Sequence, residues 1–362
     1  MRALALLTLA GSSAALVLPA QEVLLAALDW ARPALPGFCT VTSNGHDDTD
    51  ALAGISKRCG RNGIISLPSK EYILTKPVTL TLSNGYLSLS GWINYTAPLG
   101  PGDVALTLAG SKLAVTSKGG GVRVVSDEAA GYALAVRASN SALTGFGVES
   151  SGPGILIADT ANVDVSDAAV AASTGVTVAR AHDVALTRLA YTGVGECVAV
   201  RGGTHDVAVA DSECRGAGVT IGPEAGEDEQ VIRHVALGGV RVLPLDGVPP
   251  AIGVRFDAAR DAHGQAANIS IGGLRVEDVG VAIGLDSEAG SFSFHHVNVT
   301  DVSGTAGGTR VVELHCPAAA PCHHWRFKRV QVEAEAARDN YVCDNVPGVH
   351  VHRGAWECLP SA

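Results

Sequence analysis

At 362 residues, 47% of them hydrophobic and 17% charged, the chain has the composition of a globular protein with a large core, and a disordered reading is excluded. Length alone would allow two domains. The net charge is −10 and no basic run occurs, so nucleic-acid binding has no electrostatic support.

Met1 and Arg2 open onto an apolar stretch from Ala3 to Val17, closed by Leu18-Pro19-Ala20 ahead of Gln21. A short basic start, an apolar run and a small final residue predict a secretory signal peptide over residues 1–20. A buried N-terminal helix is the alternative, and the run is too short to span a membrane. Residues 21–38 read as a propeptide or N-terminal extension, with Ala31-Arg32 as a processing point. Residues 39–362 then form one domain.

That domain holds eight cysteines, at positions 39, 59, 197, 214, 316, 322, 343 and 358. An even number behind a signal peptide predicts disulfides, with about 105 connectivities open. The sequons that begin at Asn94, Asn268 and Asn298 predict a glycoprotein. Together these features point to a secreted, extracellular protein.

The middle of the chain repeats itself. Apolar strand cores recur at Tyr132-Ala-Leu-Ala-Val, Gly154-Ile-Leu-Ile, Gly175-Val-Thr-Val, Cys197-Val-Ala-Val and Gly218-Val-Thr-Ile. Taking Ala133, Ile155, Val176, Val198 and Val219 as equivalent gives steps of 22, 21, 22 and 21 residues. A second series runs through Asn162-Val-Asp-Val, Asp183-Val-Ala-Leu and Asp206-Val-Ala-Val, and Gly253-Val-Arg-Phe and Gly280-Val-Ala-Ile continue the first. A fixed period of this size marks a solenoid whose units bury their apolar faces only against their neighbours. Alternation points one face of each strand inward, and Val, Ile, Leu and Thr suit strands. The predicted fold is all-β, a right-handed parallel β-helix in one elongated domain. Leucine-rich repeats share the period but need a Leu-x-x-Leu-x-Leu scaffold that is missing here. Aromatic residues are only 4%, which fits a narrow core of small branched side chains.

Other chemistry is weakly signalled. His315, His323, His324, His350 and His352 invite a metal reading, and His350 and His352 share a strand face. No Cys/His spacing matches a zinc site, so no metal is expected. Gly119-Gly-Gly121 lacks the strand–helix context of a phosphate loop, and no cofactor is expected either. No Gly-x-Ser-x-Gly elbow is present.

The most informative stretch is residues 195–222, Gly-Glu-Cys-Val-Ala-Val-Arg through Glu-Cys-Arg-Gly-Ala-Gly-Val-Thr-Ile-Gly. It resembles the catalytic turns of glycoside hydrolase family 28, the polygalacturonases and rhamnogalacturonases, where the frame reads Asp-Asp-Cys, two strands, then Cys, Gly-His-Gly and Ile-Gly. The resemblance extends from about residue 39 to 358. It takes in Cys39-Thr-Val, Asp47-Asp48-Thr49-Asp50-Ala51-Leu52, Cys59, Gly63-Ile-Ile-Ser-Leu-Pro, Tyr72, Cys316-Pro-Ala-Ala-Ala-Pro-Cys322, Tyr341-Val-Cys343 and Cys358. It implies a single-stranded, pectin-lyase-like β-helix and the disulfides Cys39–Cys59, Cys197–Cys214, Cys316–Cys322 and Cys343–Cys358.

Active members of that family are inverting hydrolases in which one carboxylic acid protonates the leaving oxygen and others activate water. Their Asn-Thr-Asp motif aligns with Ala172-Ser173-Thr174, their Asp-Asp pair with Gly195-Glu196, and their Gly-His-Gly with Gly216-Ala217-Gly218. The Arg-Ile-Lys motif, which holds the substrate carboxylate, aligns with Arg255-Phe256-Asp257. A substrate-binding tyrosine expected between Gly280 and Asp286 is missing. Thr174, Gly195, Ala217 and Asp257 are therefore degenerate catalytic positions. Glu196 is either a remaining acid/base or a turn residue beside Cys197. Arg255 either grips a uronate bidentately or pairs with Asp257.

The expected protein is a polygalacturonase-like monomer whose partner is a pectic polysaccharide, homogalacturonan or rhamnogalacturonan, with weak or no hydrolase activity. Two readings stay open beside it: an active pectic glycosidase using a reduced site around Glu196 and Arg255, and a structural or protein-binding solenoid that touches no sugar.

Overall fold

The computed structural model of the chain describes residues 37–126, 129–224, 230–249, 251–259, 261–287, 291–308, 310–334 and 340–352. The expected signal peptide and residues 21–36 of the expected extension lie outside them. Every strand pairing is parallel, each strand bonding to those one coil before and after, and the coils wind into a right-handed parallel β-helix.

Each coil lays down strands in three sheets. In the first, Val78, Leu106, Leu134, Ile155, Val176, Val198, Val219, Val254, Ile283 and Val312 form one in-register column. All of them are fully buried. Val163, Val184, Val207, Val235, Ile269, Val297 and Trp325 form a column of the second sheet. Ile93, Val122, Val148, Val170, Tyr191, Cys214, Val242 and Val276 form one of the third. Each branched side chain so buried contributes roughly 1.5–3 kcal/mol.

The expected stack of Val176, Val198 and Val219 is present, but two registers need correcting. Ile155 opposes Leu134, not Ala133. Ala133, Leu134 and Ala135 are all buried, so this strand has no polar–apolar alternation from which to read its parity. Val254 opposes Ile283 rather than Val281. That slip is two residues and leaves the same face inward.

The corner between the first and second sheets repeats one backbone state. Asn84, Lys112, Asn140, Asn162, Asp183, Asp206, His234, Asn268, His296 and His324 all have φ between 52° and 61°, and the flanking pairings place them one per coil. Asn, Asp and His tolerate this left-handed conformation better than other side chains, which is why they recur there. Their side chains also stack along the axis: Asn162 Nδ2 donates to Asn140 Oδ1 at 2.9 Å, and the rings of His296 and His324 lie 4.6 Å apart.

A helix, Thr49–Cys59, closes the first coil with Leu52, Ile55 and Cys59 buried, and a disulfide ties it to the first described strand through Cys39. Asp48, fully buried, accepts from Ser43 Oγ at 2.7 Å and from the amides of Asn44 and Ile73. The Asp47-to-Asp50 segment thus fastens the cap. Cys197–Cys214 and Cys316–Cys322 are also bonded. Cys343 is in a disulfide, and its expected partner, Cys358, lies outside the described residues.

Toward the C-terminal coils the columns of small branched side chains give way to aromatic ones. Phe256, Phe292, Phe294 and Trp325 pack together with edge-on ring contacts of 5.0–5.5 Å, and Phe327 stacks on Trp325 at 6.0 Å.

Two stability outcomes follow from this packing, both read by urea unfolding. Phe256→Ala should cost about 3–5 kcal/mol, because a fully buried ring leaves a cavity. Asn162→Val should cost about 1–2 kcal/mol more than Asn162→Gly, since both lose the ladder hydrogen bond and only valine resists the left-handed backbone.

Candidate functional site

The residues aligned with the family's catalytic turns lie where the third sheet turns into the first. The strand Ala190–Val200 runs through that corner, and its pairing with Glu213–Ile221 slips between Gly193 and Glu196. This bulge leaves Val194 64% exposed and sets Glu196 opposite Ala217. Tyr191 braces it from inside, its buried hydroxyl reaching the carbonyls of Ala172, Ser173 and Gly195 at 3.3, 3.1 and 3.0 Å. Burial raises the Tyr191 pKa, with the nearby Glu196 charge adding to the rise, so the phenol stays a neutral donor.

Gly195 is required by close approach. A Cβ there would lie 2.4 Å from the Ser173 carbonyl oxygen and 3.2 Å from Thr174 Oγ1. No side chain fits unless the backbone of one coil shifts.

The two charged residues left at the aligned positions are both engaged. Glu196 Oε1 accepts from Arg201 Nη2 at 2.8 Å, with the two side chains 29% and 18% exposed. Arg255, more open, lies 3.3 Å from Asp257. Glu196 precedes Val198 by two residues, whereas Arg255 follows Val254, which stacks two coils further on. The fold therefore does not bring Glu196 and Arg255 into contact. Between them the outward positions of the sheet are Ala199 and Thr220, both buried.

Sequence reading missed a row beyond Arg255. Asp257, Asp286, His315 and Asp344 stack in register on the outer face of the first sheet. His315 Nδ1 is 2.6 Å from Asp344 and its Nε2 3.1 Å from Glu313, which Arg310 also contacts. Partial burial opposes protonation of His315, but the hydrogen bonds it donates to Glu313 and Asp344, with their charges, outweigh it and raise its pKa. The signal was present in the numbering: 286 − 257, 315 − 286 and 344 − 315 are each 29, longer than the period read upstream.

Of the sequon asparagines, Asn268 and Asn298 are exposed and Asn94 is half-buried on its strand. Among the described residues, no group of three or more His, Cys, Asp or Glu is arranged to hold a metal. No described helix is long and apolar enough to cross a membrane.

Residues 133–353 match the profile of Glycosyl hydrolases family 28, and the chain belongs to that family. Among solved structures, it is similar to the endo-xylogalacturonan hydrolase from Aspergillus tubingensis at 15% identity and a TM-score of 0.71, covering 90% of this chain and 99% of that one. The hyperthermoactive exopolygalacturonase from Thermotoga maritima matches at 12% identity and a TM-score of 0.61, covering 92% and 96%. Endopolygalacturonase I from Stereum purpureum, solved with two galacturonates, matches at 15% and 0.53, covering 87% and 96%. No curated protein matches in sequence.

Two outcomes test this geometry. Tyr191→Phe should cost about 1–3 kcal/mol, because the carbonyls at the bulge lose their buried donor. For His315, a raised folded pKa means stabilisation that is full below the ordinary value of 6.5 and lost as pH rises through the folded value. The stability gap between wild type and His315→Gln should therefore be wider at pH 6 than at pH 8 in paired urea titrations.

Proposed function

We propose that this chain is a secreted family 28 protein that engages pectic polysaccharide with weak or no hydrolase activity. The observation that carries the reading is the state of the aligned catalytic positions. Thr174, Gly195 and Ala217 offer no ionisable group, and Glu196 is held by Arg201. Inverting hydrolysis needs an acid and a base carboxyl on opposite sides of the scissile bond. Each group contributes about 10²–10⁴-fold, and their losses are not additive. The bulge adds a steric argument: Gly195→Asp would drive its Cβ into the Ser173 carbonyl, so one substitution does not restore the pair.

Secretion is supported by the signal-like start and by the disulfides, which persist in oxidising compartments. A pectic ligand is supported by family membership and by the xylogalacturonan and galacturonate named for similar structures. Charge narrows the class. Arg255 and Asp257 cancel, as do Arg201 and Glu196, so steering of a polyanion is weak. A substituted or methyl-esterified chain suits this cleft better than bare homogalacturonan.

Affinity across a methyl-esterification series tests the reading. Binding should rise, or stay level, as esterification increases, and depend little on salt. A strong, salt-sensitive preference for fully de-esterified pectin would contradict it. Loss of all binding would leave an extracellular structural or protein-binding solenoid.

A second reading, an active glycosidase, is favoured by one observation. Asp257 and Asp286 are in-register neighbours beside Arg255, which puts two carboxyls about 5 Å apart at the backbone. Turnover that disappears in Glu196→Gln would support a reduced site around Glu196 and Arg255; turnover that disappears only in Asp286→Asn would move the chemistry along the axis.

A further inference from the structure

The outer face of the third sheet, one corner away from Glu196, holds a groove of about 410 Å³. Its floor is flat for a reason visible in the register. The outward positions that follow Trp92 along the axis are Gly121, Gly147, Ala169 and Ala190, and the last three line the groove, so at this position nothing taller than a methyl group rises from three successive strands. Three strands span about 10 Å, longer than a single pyranose ring.

Trp92 walls one end. A Cβ on Gly147 would lie 2.7 Å from the indole Cη2, so glycine there lets the ring lie against the sheet. The Arg123 guanidinium sits 4.5 Å from the ring centroid. Arg123 does not line the groove although Trp92 does, so the indole meets the groove on surface the arginine leaves uncovered. An aromatic body of this kind supplies large contact area at small entropic cost.

Charge selects the occupant. The ionisable residues lining the groove are Glu149 and Asp167, and no Lys or Arg lines it. Glu149 is held by Arg123 at 2.5 Å and Asp167 by Arg188 at 2.6 Å, which fixes both carboxylates as acceptors. Thr192 adds an exposed hydroxyl. Acceptors on a flat apolar floor complement a ring with hydroxyls at its edge and C–H groups on its face. Both carboxylates are already matched by arginines that do not line the groove, so a uronate gains no attraction there over a neutral sugar.

We propose that this groove is a second saccharide site, separate from the aligned catalytic corner, and that it takes a neutral pyranose oligosaccharide. The ring stacks on Trp92 and the glycine–alanine floor, and its hydroxyls donate to Glu149 and Asp167. The site does not depend on whether the catalytic corner is active or binds pectin.

Calorimetric titration of enzymatically deglycosylated protein tests it, since no sugar carried at Asn94 then competes. The probes are xylotetraose, β-1,4-galactotetraose and cellotetraose, with tetragalacturonate as the charged comparison. At least one neutral tetrasaccharide should bind, and Trp92→Ala should weaken it about tenfold or more, as loss of an aromatic anchor does. Ala169→Gln, at an exposed strand position, should weaken it similarly while leaving thermal unfolding unchanged. Glu196→Gln should leave it unaltered. Absence of binding by all three neutral probes, or binding unaffected by both Trp92→Ala and Ala169→Gln, would overturn the proposal. So would tetragalacturonate binding that Ala169→Gln abolishes.

Discussion

The in-register stacking of one coil on the next is the constraint from which the rest of this molecule follows. Parallel pairing leaves each strand's backbone groups to its neighbours one coil away, so the register of any coil is set by the coils on either side. The left-handed residue at the corner from Asn84 to His324 keeps that register by turning the chain at the same point each time. Because the columns are fixed, a residue's place along the axis and around the coil is fixed too. The site is therefore a property of register before it is a property of any loop.

This explains how the frame of the corner can persist under the change of chemistry proposed above. The bulge at Gly193–Glu196, the Tyr191 brace and the Cys197–Cys214 bond all serve the turn between two sheets, and they hold whether or not a carboxylate stands at 195. Once that position is glycine, the Ser173 carbonyl approaches so closely that a larger residue no longer fits. The charges that remain find partners nearby: Arg201 for Glu196, and Asp257 for Arg255. A half-buried carboxylate paired with a half-buried guanidinium is costly to separate, so Glu196 is held in its ion pair.

Much of the fold was legible in the sequence, because a coil that buries its face only on its neighbours must repeat its apolar positions. The step of 21 to 22 residues between Ile155, Val176, Val198 and Val219 carried it. Legibility failed at Ala133, where four consecutive buried residues hide which face points inward, and past Asp257, where coils lengthen to 29 residues. There Asp257, Asp286, His315 and Asp344 each sit in a different local motif and line up only once the strands are paired. The Glu196–Arg201 pair was invisible for a related reason. A bulge within that strand ends at Glu196, and a bulge re-aims side chains in a way that spacing does not encode. The groove beside Trp92 was equally silent, since it consists of what glycine and alanine leave empty.

Release of reducing ends tests the proposed loss of hydrolysis at this corner most directly. Purified protein would be incubated with xylogalacturonan and with polygalacturonate, alongside Glu196→Gln. The expected result is no release above the Glu196→Gln background on either substrate, with the β-helix intact by circular dichroism. Sustained release by the wild type that Glu196→Gln abolishes would show that one carboxylate at this corner still does the work of several.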